Sequence, residues 1–139
     1  MIGLDIRTVI ISYIFSEAIC VTFMAFLWIQ NRRRFAGTGL WLAAIVMHFF
    51  GVSLIALRGL VPSFLSVMVS NTLIVGGAIL LSAGMEEFVE KPGRRSYKLA
   101  LLVIFVLFDA YFTLIRPSVN ARIILISLFL LIVCSQCAW

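Results

Sequence analysis

The chain has 139 residues, of which 63% are hydrophobic and 12% charged, with a mean hydropathy of +1.17 and a formal net charge of +5. No soluble domain of this length hides so much apolar surface in one core, so the composition excludes a water-soluble globule and points to an integral membrane protein. The positive charge sits beside apolar runs, where it meets lipid headgroups, and argues for no nucleic-acid partner.

A helix needs about 20 apolar residues to cross the hydrocarbon. Residues 8–30 supply the first, interrupted only by Glu17. Asp5 precedes Arg7 and the first basic cluster follows this run, which is not the order of a cleavable signal peptide. Arg32, Arg33 and Arg34 form the connection, Gly37-Thr38-Gly39 breaks the chain, and residues 40–57 form the second run around His48. Pro62-Ser63 suits the start of a third helix at residues 64–84. Met85 to Glu90 either extends that helix or lies along the interface, and Lys91-Pro92-Gly93 is a turn signal. The fourth run covers residues 99–115 and stops at Arg116-Pro117-Ser118. The fifth, residues 123–139, stops on Cys137-Ala138-Trp139. That ending suits either a natural terminus at the interface, which tryptophan favours, or the cut end of a longer protein.

Each run is too long for a strand and lacks the two-residue alternation of a membrane barrel. The expected fold is all-α, an integral membrane bundle of about five transmembrane helices forming a single domain over residues 1–139. Seven basic residues lie in the first and third connections (Arg32, Arg33, Arg34, Lys91, Arg94, Arg95, Lys98) and four on the other side (Arg7, Arg58, Arg116, Arg122). Basic excess marks the cytoplasmic face, which places the N-terminus outside and the C-terminus inside. The three cysteines fall within predicted spans, against a disulfide framework.

Ionisable residues inside a span are costly and are functional candidates by default. Glu17 lies about 13 Å inside the outer end of the first helix and Asp109 about 10 Å inside that of the fourth. Asn71 is similarly deep in the third, and His48 is near the middle of the second. Together Glu17, His48, Asn71 and Asp109 suggest one ligand-binding polar layer in the outer half of the bundle, rimmed by Arg58, Arg116 and Arg122. A carboxylate there binds a cation, titrates, or pairs with His48. The plainer alternative is structural, with Glu17 and Asp109 bonded to Ser16, Ser70 or Tyr111 and merely pinning helices together. No spacing fits a metal site, no cofactor is implied, and no catalytic constellation is present, so no enzymatic activity is expected. Ser63, Ser66, Ser70, Gly77 and Gly84 share a face of the third helix and read as a packing seam. Cys134-Ser135-Gln136-Cys137 has redox spacing but lacks the setting of a reactive thiol, and reads as packing.

Several segments resemble a known membrane module: Leu4-Asp5-Ile6-Arg7-Thr8, Asn31-Arg32-Arg33-Arg34-Phe35, Gly39-Leu40-Trp41, Ala56-Leu57-Arg58-Gly59-Leu60-Val61-Pro62, Phe64-Leu65-Ser66, Asn71-Thr72-Leu73, Tyr111-Phe112-Thr113 and Asn120-Ala121-Arg122-Ile123. Together they resemble the N-terminal membrane sensor regions of bacterial diguanylate cyclases of the GGDEF class. The chain lacks the cyclase motif. The resemblance therefore implies a sensor or anchor in a bacterial inner membrane, with the bilayer, a small ligand of unknown identity and a cytoplasmic output domain or a second copy as partners. Two other readings stay open: a small transporter or channel subunit using Glu17 as a coupling carboxylate, and a structural subunit of a membrane complex.

Overall fold

The computed structural model describes residues 6–60, 62, 65–90, 95–115 and 118–137. Among these every element is a helix, joined by short turns. Helix α1 spans Ile6–Asn31 and α2 spans Thr38–Ala56. A π-helical turn, Leu65–Val69, runs into α3, Ser70–Phe88. Helix α4 spans Arg95–Ala110 and continues into a second π-helical turn, Tyr111–Ile115; α5 spans Val119–Cys137. All five are long and apolar enough to cross a membrane. The all-α bundle expected from the apolar runs is the fold observed.

The ends differ from expectation where polar residues join a helix. Helix α4 begins at Arg95 rather than Leu99, and α5 at Val119 rather than Ile123. The Ser118 hydroxyl accepts from the Ala121 amide at 3.4 Å, capping one of the first-turn donors of α5. The third helix runs on to Phe88, so Met85 to Phe88 extend it; the chain turns at Glu90, whose φ is +57°. Between α1 and α2 the turn depends on Gly37 at φ +84°, a left-handed conformation that costs glycine little. Proline at position 62 suits the entry to the third helix, since its carbonyl accepts from the Ser66 amide at 3.1 Å. Ser63 and the Lys91-Pro92-Gly93 turn lie outside the described residues.

Helix α3 is the centre of the bundle and touches α2, α4 and α5, whereas α1 packs on α2. In α3 44% of the apolar window is buried within the protein, against none in α1. Phe15, Ile19, Phe23 and Phe26 recur every three or four residues along α1 and are all more than half exposed, a stripe suited to lipid. A compact apolar core joins Val75 and Ile79 of α3 to Leu101 and Phe105 of α4 and Phe129 and Val133 of α5. The Phe105 and Phe129 rings meet edge-on with centroids 5.2 Å apart.

The α2–α3 seam is built from small residues, as the spacing on the third helix predicts. A Cβ on Gly77 would sit 2.9 Å from the Ala44 carbonyl oxygen, and one on Gly84 would strike the Trp41 ring. From the other side, a Cβ on Gly51 would sit 3.1 Å from the Ser70 carbonyl oxygen. Without a hydrophobic drive between helices in lipid, such close approach is a main source of association. It also sets the register that carries His48 to its place opposite α1.

Candidate functional site

The four polar residues expected to form one layer are brought together as two pairs. In the first, His48 Nδ1 and Glu17 Oε1 are 3.1 Å apart, joining α2 to α1. The Glu17 side chain is 15% exposed and that of His48 35%. Tyr13, one turn before Glu17, sets its ring edge-on to the imidazole at a centroid distance of 6.3 Å and has its hydroxyl coupled to the Glu17 carboxyl. Ser16 is exposed and has no share in the pair.

Beside this pair lies a cavity of about 260 Å³, open at one side. Glu17 and His48 give it a polar edge; Ala44, Gly77, Leu81 and Leu130 from α2, α3 and α5 are among its apolar walls. Neither Asn71 nor Asp109 lines it. The pair sets a carboxyl and an imidazole, in contact with each other, against an apolar groove in the middle of a span.

The second pair joins α3 to α4: Asn71 Nδ2 donates to Asp109 Oδ1 at 3.0 Å. Both residues are buried, Asp109 completely. Neither Ser70 nor Tyr111 serves Asp109. The Ser70 hydroxyl donates instead to the Ser66 and Val67 carbonyls, at 2.6 and 2.9 Å, and Tyr111 stacks edge-on against Phe112. Of the expected rim, Arg122 is half-buried in the first turn of α5 and acts electrostatically on Asp109. Arg58 is exposed just past the end of α2, and Arg116 lies outside the described residues.

A third polar cluster escaped sequence reading. Lys98, expected in the basic connection, belongs to the first turns of α4 and is buried. Its ammonium donates to Glu86 Oε2 at 2.6 Å and to Ser82 Oγ at 3.1 Å, tying α4 to the end of α3. The available signal is the four-residue spacing of Ser82 and Glu86, which puts both on one helical face. The expectation that Cys134 packs is corrected: Cys134 and Cys20 are free thiols exposed on the outside of the bundle. Among the described residues no group of three or more His, Cys, Asp or Glu is arranged to hold a metal.

No protein-family model, curated protein or solved structure matches the chain. The likeness to the membrane regions of GGDEF-class cyclases thus rests on the segments quoted from the sequence. What the helices themselves establish is coarser: a bundle compatible with an integral membrane protein in contact with lipid.

Proposed function

We propose that the chain is a membrane sensor and anchor module, in which the Glu17–His48 pair responds to a proton or a small amphipathic ligand in the adjoining groove and relays the change to a cytoplasmic output domain such as a diguanylate cyclase. In this reading the N-terminus is outside, the Arg32–Arg34 connection faces the cytoplasm of a bacterium, and the chain itself catalyses nothing. The observation that carries the proposal is the placement of the pair. It is the polar bond between α1 and α2, it borders a cavity, and α1 has few other partners in the bundle. A change of charge at either residue alters the force holding α1 in place, and a peripheral helix packed on a single neighbour is the element such a force can move.

A small transporter is the second reading, favoured by the Glu17 carboxyl lining a groove at mid-span. The two differ in what moves. Spin labels on the exposed Cys20 of α1 and Cys134 of α5, in a Cys137→Ser background in nanodiscs, report the position of α1 against the bundle. A sensor shows a Cys20–Cys134 distance that changes between pH 5 and 8 and becomes pH-independent in His48→Gln. An unchanged wild-type distance refutes the sensor, and proton flux in sealed vesicles supports the transporter in its place.

A further inference from the structure

The groove beside the Glu17–His48 pair lies at a depth where water is absent. Glu17, His48, Ala78 and Leu130, which line it, each stand within a turn of the middle of a membrane span. Helix α1 packs on α2, and α5 packs on α3 and α4. The groove therefore runs over α2 and α3, with Glu17 on one flank and Leu130 on the other. Its open side meets hydrocarbon, and what enters it arrives through the bilayer.

The polar edge selects the head of an occupant. One imidazole nitrogen, Nδ1, meets Glu17 Oε1, and the Glu17 carboxyl is also coupled to the Tyr13 hydroxyl. The other nitrogen, Nε2, has no partner among the described residues and is not sealed off by protein. No further charged side chain is among the described walls, so a net charge on the pair has nothing to balance it at mid-span, where charge is costly. The pair is neutral in two ways. A protonated Glu17 donates to Nδ1 and leaves the single imidazole hydrogen on Nε2, or an imidazolium donates from Nδ1 to the carboxylate and again keeps a hydrogen on Nε2. In both, Nε2–H is an unused donor in a medium that offers it no acceptor.

The walls select the body. Ile45, Ile74, Ala78, Leu81 and Leu130 are aliphatic, and among the described residues no aromatic ring lines the groove for a flat ring to stack on. From Ile74 to Leu81 the groove follows α3 for about 10 Å at the standard helical rise. An extended chain advances about 1.2 Å per bond, so this length holds roughly eight to ten carbons. A phospholipid does not supply the head, since its ester carbonyls lie at the edge of the hydrocarbon, about 15 Å from the middle.

We infer that the groove binds a small neutral aliphatic molecule with one hydrogen-bond-accepting oxygen, a ketone or ester carbonyl on a medium-length chain. His48 Nε2 donates to that oxygen, and the chain lies along Ala78, Leu81 and Leu130. The inference rests on the sensor reading of the groove and names the ligand class for it. A protonated amine offers Nε2–H no acceptor, a carboxylate brings an uncompensated charge, and an alkane leaves the donor unmet.

The test uses the full chain in nanodiscs with decan-2-one carrying ¹³C at its carbonyl. Free in hydrocarbon that carbonyl accepts nothing; bound, it accepts from His48 and its resonance moves downfield. Wild type should show a saturable shifted resonance that is absent from empty nanodiscs. His48→Phe, which keeps a ring and removes the donor, should lower the apparent affinity on the order of tenfold, the worth of one hydrogen bond. Leu81→Trp, made at an exposed side chain bordering the groove, should abolish the resonance by filling it, and Ala78→Leu serves if Leu81→Trp does not fold. Decane, decylammonium and decanoate at equal membrane content should displace the ketone more weakly than unlabelled decan-2-one does. A wild type without a saturable resonance overturns the proposal, as does a resonance that either variant leaves undiminished. Stronger displacement by decylammonium or decanoate than by the unlabelled ketone overturns the neutral class. The Cys20–Cys134 distance, read in the same nanodiscs, separates this from the sensor. A saturable resonance with an unchanging distance sustains the ligand and refutes the sensor; a pH-dependent distance without the resonance does the reverse.

Discussion

Two adjacent glycines on α3 give a sharp test of the α2–α3 seam. A Cβ at Gly76 would meet the terminal methyl of Met47 at 2.9 Å, while a Cβ at Gly77 would meet the Ala44 carbonyl oxygen at the same 2.9 Å. The distances are equal and the obstacles are not. Met47 ends in a flexible thioether that swings aside at little cost. The Ala44 oxygen is part of the α2 backbone, so the helices must part by roughly half an ångström to restore ordinary contact, in a seam that is close-packed. Over-packing of this kind costs about 1–3 kcal/mol, and alanine in place of glycine returns up to about 1 kcal/mol of helix propensity. Gly76→Ala should therefore be neutral or stabilising by up to about 1 kcal/mol, and Gly77→Ala should be destabilised by about 1–2 kcal/mol. Thermal and denaturant unfolding in one detergent, followed by helical circular dichroism, reads the difference. If Gly77→Ala is as stable as Gly76→Ala, the close approach of the two backbones does not hold the bundle, and the reasoning fails.

The Lys98 cluster makes a second comparison: Glu86→Ala leaves a buried ammonium without its counter-charge and should cost about 2–4 kcal/mol, discounted for the partial exposure of Glu86. Lys98→Met removes the charge itself and should cost less than Glu86→Ala in the same unfolding assay. For orientation, single cysteines at Thr38 and Ser96 should resist a membrane-impermeant reagent applied to intact cells, while one at Ser118 should react. The reverse labelling pattern would place the Arg32–Arg34 connection outside and invert the sensor.

The helices were legible because each is written as an apolar stretch that only a membrane span explains, and the small-residue face of α3 was legible from spacing alone. What the spans hid was register. Glu17 and Asp109 stood out because charge in a bilayer is costly, but a hydropathy pattern does not say which neighbour each faces. His48 meets Glu17 because the α2–α3 glycine contacts fix how α2 lies, and those contacts are tertiary. Asp109 takes Asn71 rather than Ser70 because the Ser70 hydroxyl is already spent on the Ser66 and Val67 carbonyls. Lys98 was misread for a related reason: a basic residue near a span end normally belongs to the headgroup layer. Only the continuation of α3 to Phe88 brings Glu86 and Ser82 within its reach. The π-helical turns carry no sequence signal comparable to the apolar runs; Leu65–Val69 and Tyr111–Ile115 are composed like any other membrane helix.

The central claim is that Glu17 and His48 form a titrating pair rather than a fixed helix clasp, and Glu17→Gln tests it most directly. Glutamine keeps the shape and a hydrogen bond to the imidazole but cannot ionise. Unfolding temperatures of wild type and Glu17→Gln, measured from pH 5 to 8 in detergent, should therefore differ by an amount that changes with pH. Parallel curves across the whole range would show that no charge changes hands at Glu17, and would leave the pair as helix packing.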